Sequence, residues 1–117
     1  MTEITLSPKY SQDRYLADGQ LGTSEASLYT VGTRKYAKIL SIILTNTHSS
    51  AITVRIFVKP TGGTSRQIAA QDLSLAAGEN VVLEYPFALS AGDAIRGLAS
   101  TAAKVDYYIS GSEEIGR

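Results

Sequence analysis

One histidine, His48, stands in the run Thr47-His48-Ser49-Ser50, and a serine beside a histidine is the minimal material for nucleophilic hydrolysis. That chemistry also needs a buried carboxylate to orient the imidazole, and this polar loop supplies none. The same histidine has no histidine or cysteine companions, so zinc ligation is not expected. Acids are scattered singly except for Glu113-Glu114, which reads as a solvated tail. Asp72 and Glu84 have the chemistry of a glycosidase pair, yet no pattern in the chain selects them over other carboxylates. Thr61-Gly62-Gly63-Thr64-Ser65 has the glycines of a phosphate loop without its lysine or following helix, and reads as a hairpin turn. Glu79 and Asp93 each follow a glycine, but the oxygen-rich spacing of a calcium loop is missing. Turn acids that accept from nearby backbone amides are the better reading. No catalytic residue, metal or cofactor is expected, and the chain is not expected to be an enzyme.

The totals narrow the function further. A chain of 117 residues, 44% of them hydrophobic, is the size of one domain and can bury a core. Its 11 basic and 11 acidic residues cancel, leaving no long-range field for nucleic acid or an anionic membrane. The densest cations, Arg34, Lys35 and Lys38, read as a solvated loop. Cysteine is absent, which excludes disulfides and thiolate chemistry. Met1 to Tyr10 lacks the basic-then-apolar layout of a signal peptide, and the apolar run Ile39 to Leu44 is too short to span a bilayer. A soluble protein without an export signal of its own is expected, with no small-molecule ligand.

Residues 1–26 carry no strand or helix period and read as an extended N-terminal arm. Tyr10, Tyr15 and Leu16 are its large apolar groups, fit either to dock on another molecule or to pack back on the same subunit. Residues 27–117 read as the folded domain, with strands separated by turn clusters. Leu28 to Val31, Lys38 to Thr47, Ile52 to Lys59, Arg66 to Leu75, Val81 to Tyr85, Ala94 to Ala99 and Val105 to Ser110 supply them. One turn is written twice, as Leu75-Ala76-Ala77-Gly78-Glu79 and Leu89-Ser90-Ala91-Gly92-Asp93, and suggests an antiparallel meander. The expectation is an all-β, antiparallel two-sheet sandwich of about eight strands, or a small barrel.

Alternation assigns faces. Leu40, Ile42 and Leu44 are expected to face the core, which sends Ile39 and Ile43 outward. Ile52, Val54, Ile56 and Val58 face in, and Phe57 faces out with Thr53, Arg55 and Lys59. Val105, Tyr107 and Ile109 face in, and Tyr108 faces out. Ile39, Ile43, Phe57 and Tyr108 are therefore the candidate subunit interface, an apolar patch covered by a neighbouring subunit or by the arm.

Leu28-Tyr29-Thr30-Val31-Gly32, the run Ala37 to Thr47, and Val54 through Gly63 resemble small β-sandwich virion proteins of tailed bacteriophages. The twin turns and Tyr107-Tyr108-Ile109-Ser110-Gly111 extend the likeness over about residues 27–112. The resemblance implies a jelly-roll-like sandwich that decorates and cements the outer capsid surface as a homotrimer, bound to the major capsid protein. Tyr10, Tyr15 and Leu16 would then anchor the capsid-docking arm. The protein would be made in the host cytoplasm. The alternative is a tail- or fibre-associated carbohydrate-binding module with Tyr36, Tyr85 and Tyr108 as its stacking platform.

Overall fold

The computed structural model describes residues 14–84 and 86–115, so Tyr10 and Tyr85 lie outside the described residues. The described chain forms ten strands: β1 (Arg14–Gln20), β2 (Ala26–Thr30), β3 (Lys35–Asn46), β4 (Ile52–Lys59), β5 (Arg66–Gln67), β6 (Leu73–Leu75), β7 (Asn80–Leu83), β8 (Phe87–Leu89), β9 (Ala94–Ala99) and β10 (Val105–Ile115). A front sheet runs β1-β10-β3-β7, with β8 also on β3, and a back sheet runs β2-β9-β4-β5, with β6 also on β4. Every pairing is antiparallel. Counting β5 with β6 and β7 with β8 as broken single strands leaves eight strand positions, four per sheet. That order is a jelly roll, the form of two-sheet sandwich that the family resemblance implies.

The twin turns do not build a meander. Each carries the chain from one sheet to the other, β6 to β7 and β8 to β9. Gly78 (φ +74°) and Gly92 (φ +85°) occupy the turn position that demands positive φ. The acid after each glycine closes its turn twice: Glu79 N–H donates to Ala76 O while its carboxylate accepts from Ala76 N, and Asp93 does the same with Ser90.

Alternation holds in β4, where Ile52, Val54 and Ile56 are buried, and in β10, where Val105 and Ile109 are buried. It fails in β3. Ser110 of β10 pairs with Ser41, but Gly111 pairs with Ile39, so Leu40 is passed over. This bulge shifts the phase by one residue. Ile39 therefore enters the core at 1% exposure beside Ile42 and Leu44, and Leu40 stays on the outer face, half-buried. The expected outward placement of Ile39 is corrected, and with it Ile39's place in a subunit interface.

The N-terminal region also differs from the expectation. Arg14 to Gln20 pair along β10 from Gly111 to Asp106, and Leu21 is a core residue. The described part of the arm is thus the first strand of the front sheet. A bulge between Tyr15 and Ala17 breaks its alternation and hides the strand from a periodicity reading. Leu16 packs against the core, and Tyr15 does not.

Two polar devices tie the ends of the sandwich. Tyr29 of β2 donates its hydroxyl to Glu113 of β10, which also accepts from Arg14 at 2.5 Å and lies 3.8 Å from Lys35 Nζ. Asn46 is fully buried; its Nδ2 donates to the carbonyls of Ser50, Leu75 and Ala76, and its Oδ1 accepts from His48 N.

Candidate functional site

The described large apolar side chains left exposed are Tyr15, Tyr36, Val82, Tyr108 and Ile115, and all five belong to strands of the front sheet. Register places most of them on one outer surface. Asp18, Tyr108, Ile43 and Val82 are Cα partners in one row across β1, β10, β3 and β7. The next row on the same face is Gln20, Asp106, Thr45 and Asn80. Tyr15, Ser110 and Ser41 form a third row, in which the two serine hydroxyls are 2.8 Å apart. The rings of Tyr15 and Tyr108 meet with centroids 5.5 Å apart and planes tilted by 46°. Such an aromatic pair adds contact area at little entropic cost.

A shallow groove runs between these rows, lined by Asp18, Gln20, Ile43, Thr45, Asp106 and Tyr108 among others. Its charged lining is two carboxylates and no cation. Gln20 Nε2 donates to Asp106 at 3.0 Å, which orients one of them. Tyr107 points the other way, towards Leu28 O, and burial pushes its phenol above the ordinary range, helped by the Asp18 charge. A second groove on the same face, past the bulge, is lined by Tyr36, Lys38, Leu40, Ala88, Ser112 and Glu114.

The expected interface residues separate in three directions. Ile43 and Tyr108 are direct cross-strand partners on the front face, with Tyr15 beside them. Phe57 faces out from the back sheet, partnered by Arg96 and Gln67, on the opposite side of the sandwich. Ile39 is in the core, and Leu16 turns inward. Of the stacking-platform tyrosines, Tyr36 and Tyr108 share the front face. Val82 escaped the sequence reading, because β7 is too short for its alternation to be read in isolation.

Three of the acids considered for chemistry, Asp72, Glu79 and Asp93, have structural partners. Asp72 pairs with Arg55 at 2.8 and 3.2 Å on the back sheet, while Glu84 follows β7 of the front sheet, so the two do not face each other. Asp93 also accepts from Thr61 N at 2.9 Å, and together with Ser90 this holds its carboxyl below the usual range. Pro60 to Ser65 is the hairpin between β4 and β5, closed by Gly63 N to Pro60 O. Among the described residues no cluster of three or more metal-ligating side chains occurs.

No protein-family model matches the chain, and no curated protein matches it. Solved structures do. The chain is similar to a subunit of the Bacillus endospore appendages, described as disulfide-linked pili, with TM-score 0.56 and 16% identity over 99% of this chain and 100% of that one. It also aligns with part of a chain from infectious bursal disease virus strain Gx, at TM-score 0.49 and 15% identity over 97% of this chain and 37% of that chain. At this identity the likeness is one of fold: a jelly roll of the same extent as the appendage subunit.

Proposed function

We propose that this chain is a structural subunit, which decorates and cements the outer surface of a tailed-phage capsid as a homo-oligomer. One observation carries the reading: exposed tyrosine and aliphatic side chains gather on the outer face of the front sheet while the described back sheet exposes no comparable group. Contiguous apolar surface of this kind marks a protein contact. Beside it Gln20 donates to Asp106 across the β1–β10 pairing. The capsid location rests on the sequence resemblance. The likeness to an appendage subunit supports a building-block role, but this sequence has no cysteine, so any assembly it makes is held without disulfides.

The test is copy number and position. Quantified protein bands and immunogold labelling of purified particles should show many copies on the head. A few copies confined to the tail would remove the cement reading.

A further inference from the structure

The back sheet carries a stripe of opposite character to the front face. Arg55, Phe57 and Lys59 are alternate residues of β4 on its outer side, cation, aromatic and cation in turn. Leu98 is the cross-strand partner of Arg55, and Arg96 of Phe57. Two acids balance part of this charge: Asp72 against Arg55, and Glu25 against Arg96 at 2.7 Å. The front face presents the reverse pattern, with Asp106 and Tyr108 alternating on β10 and Asp18 beside Tyr108.

We infer that the outer face of the front sheet of one copy docks on the outer face of the back sheet of a second copy. This deepens the structural-subunit reading and rests on it. Charge selects the pairing. A front-on-front contact brings Asp18 and Asp106 against their own copies, and a back-on-back contact does the same with Arg55 and Lys59. Front-on-back sets acids against cations and places Tyr108 and Tyr15 where a guanidinium can cover a ring face. Two different patches meet, so the contact is heterologous.

The position of the patches decides what such a contact builds. They lie on opposite sides of one flat sandwich, so each docked copy exposes a fresh front face pointing the same way. Closing a three-membered ring needs the outward directions of the two patches to lie about 60° apart, which opposite faces do not offer. Front-on-back docking grows an open stack, in place of the trimer that the phage resemblance implies.

The experiment is sedimentation velocity of the full chain over a concentration series, with two charge-reversed variants. One carries Asp18→Lys and Asp106→Lys, the other Arg55→Glu and Lys59→Glu; far-ultraviolet circular dichroism and melting confirm that both are folded. The wild type should give a concentration-dependent series of species growing past the trimer. Each variant by itself should self-associate at least about tenfold more weakly, and an equimolar mixture should recover growth, because reversed front then meets reversed back. Wild-type growth that stops at a dimer or trimer overturns the inference, as does a mixture that stays as small as its components. A wild type that remains monomeric but still coats particles in many copies overturns the stacking and leaves the structural-subunit reading standing. Open stacks from a protein found in few copies on the tail would uphold the stacking and remove the cement reading.

Discussion

Gly111 lies so close to the carbonyl of Lys38 that a β-carbon on it would sit 2.1 Å from that oxygen. The two backbones meet where β3 carries its extra residue, and only glycine fits the approach. Gly111→Ala should therefore cost about 3 kcal/mol or more, since either the bulge or the pairing of β3 with β10 must open. Denaturant unfolding measures it. A loss below about 0.5 kcal/mol would show that the bulge does not need the glycine.

Ile39 and Ile43 are chemically identical and four residues apart, but only one reaches the core. Ile39→Asp buries a carboxylate among Ile42, Leu44 and their neighbours and should leave the chain unfolded at neutral pH. Ile43→Asp should fold with a loss near 1 kcal/mol or less and weaken attachment to particles or to other copies. Circular dichroism and a particle-binding assay separate the two. An Ile43→Asp protein that assembles normally would take the front face out of the proposed function.

Asn46 joins the loop after β3 to the turn after β6 through three donated hydrogen bonds, at 2.9, 3.0 and 3.1 Å. Asn46→Ala removes these donors and strands buried carbonyls, at an expected cost of about 2–3 kcal/mol. Asn46→Asp should be at least as costly, because the added oxygen faces carbonyls that offer it no proton. Chemical denaturation of both variants checks the order.

The carboxyl of Asp93 is held below its ordinary value of 3.8, chiefly by the Ser90 amide and then by Thr61. A lowered folded-state pKa contributes stability above the unfolded value, and that stability is lost as pH falls through the folded one. Asp93→Asn should thus be less stable than the wild type at pH 7 by about 1 kcal/mol, allowing for solvent screening. The difference should shrink as pH drops below 3.8. Urea midpoints measured from neutral pH into acid follow it. A gap that persists unchanged in acid would assign the effect to something other than the charge.

Tyr29 behaves in the opposite sense. Burial, and after it the hydrogen bond and charge of Glu113, push its phenol well above the ordinary value of 10.0. The stabilisation is complete below that ordinary value and is lost as pH rises towards the folded one. Spectrophotometric titration should show one tyrosine ionising only as the protein unfolds in base. Tyr29→Phe should abolish that late step and cost about 1–2 kcal/mol at neutral pH.

The parts of this fold legible in the sequence are those written locally. Ile52 to Lys59 alternates without interruption, so its faces come out correctly, and the acids after Gly78 and Gly92 lie within one turn of the amides they bind. What escaped depends on partners far along the chain. The phase of β3 is set by Gly111, and an isolated glycine in a strand was the available sign of a bulge. The strand at Arg14 to Gln20 was masked by its own bulge and read as an arm. Asn46 reads as a loop residue until the turn at Leu75 and Ala76 is placed over it. Phe57 and Tyr108 both face outward by alternation, but whether two outward faces are the same one is a question of sheet order, which crossovers settle and periodicity does not.

The interruptions in these strands have a consequence for how the molecule can grow. The outermost strand positions of the two sheets are β1 and the β7–β8 pair in front, β2 and the β5–β6 pair behind. β1 is bulged after Tyr15 and β2 after Ser27, while the other two are split into runs of two to four residues. Among the described residues no flank of the sandwich therefore offers a long, straight row of amides and carbonyls to an incoming strand, and sideways annealing of one molecule to the next is discouraged along these borders. If its broad sides dock as proposed, a block with such flanks associates in one direction and avoids the runaway sheet extension that leads to aggregates.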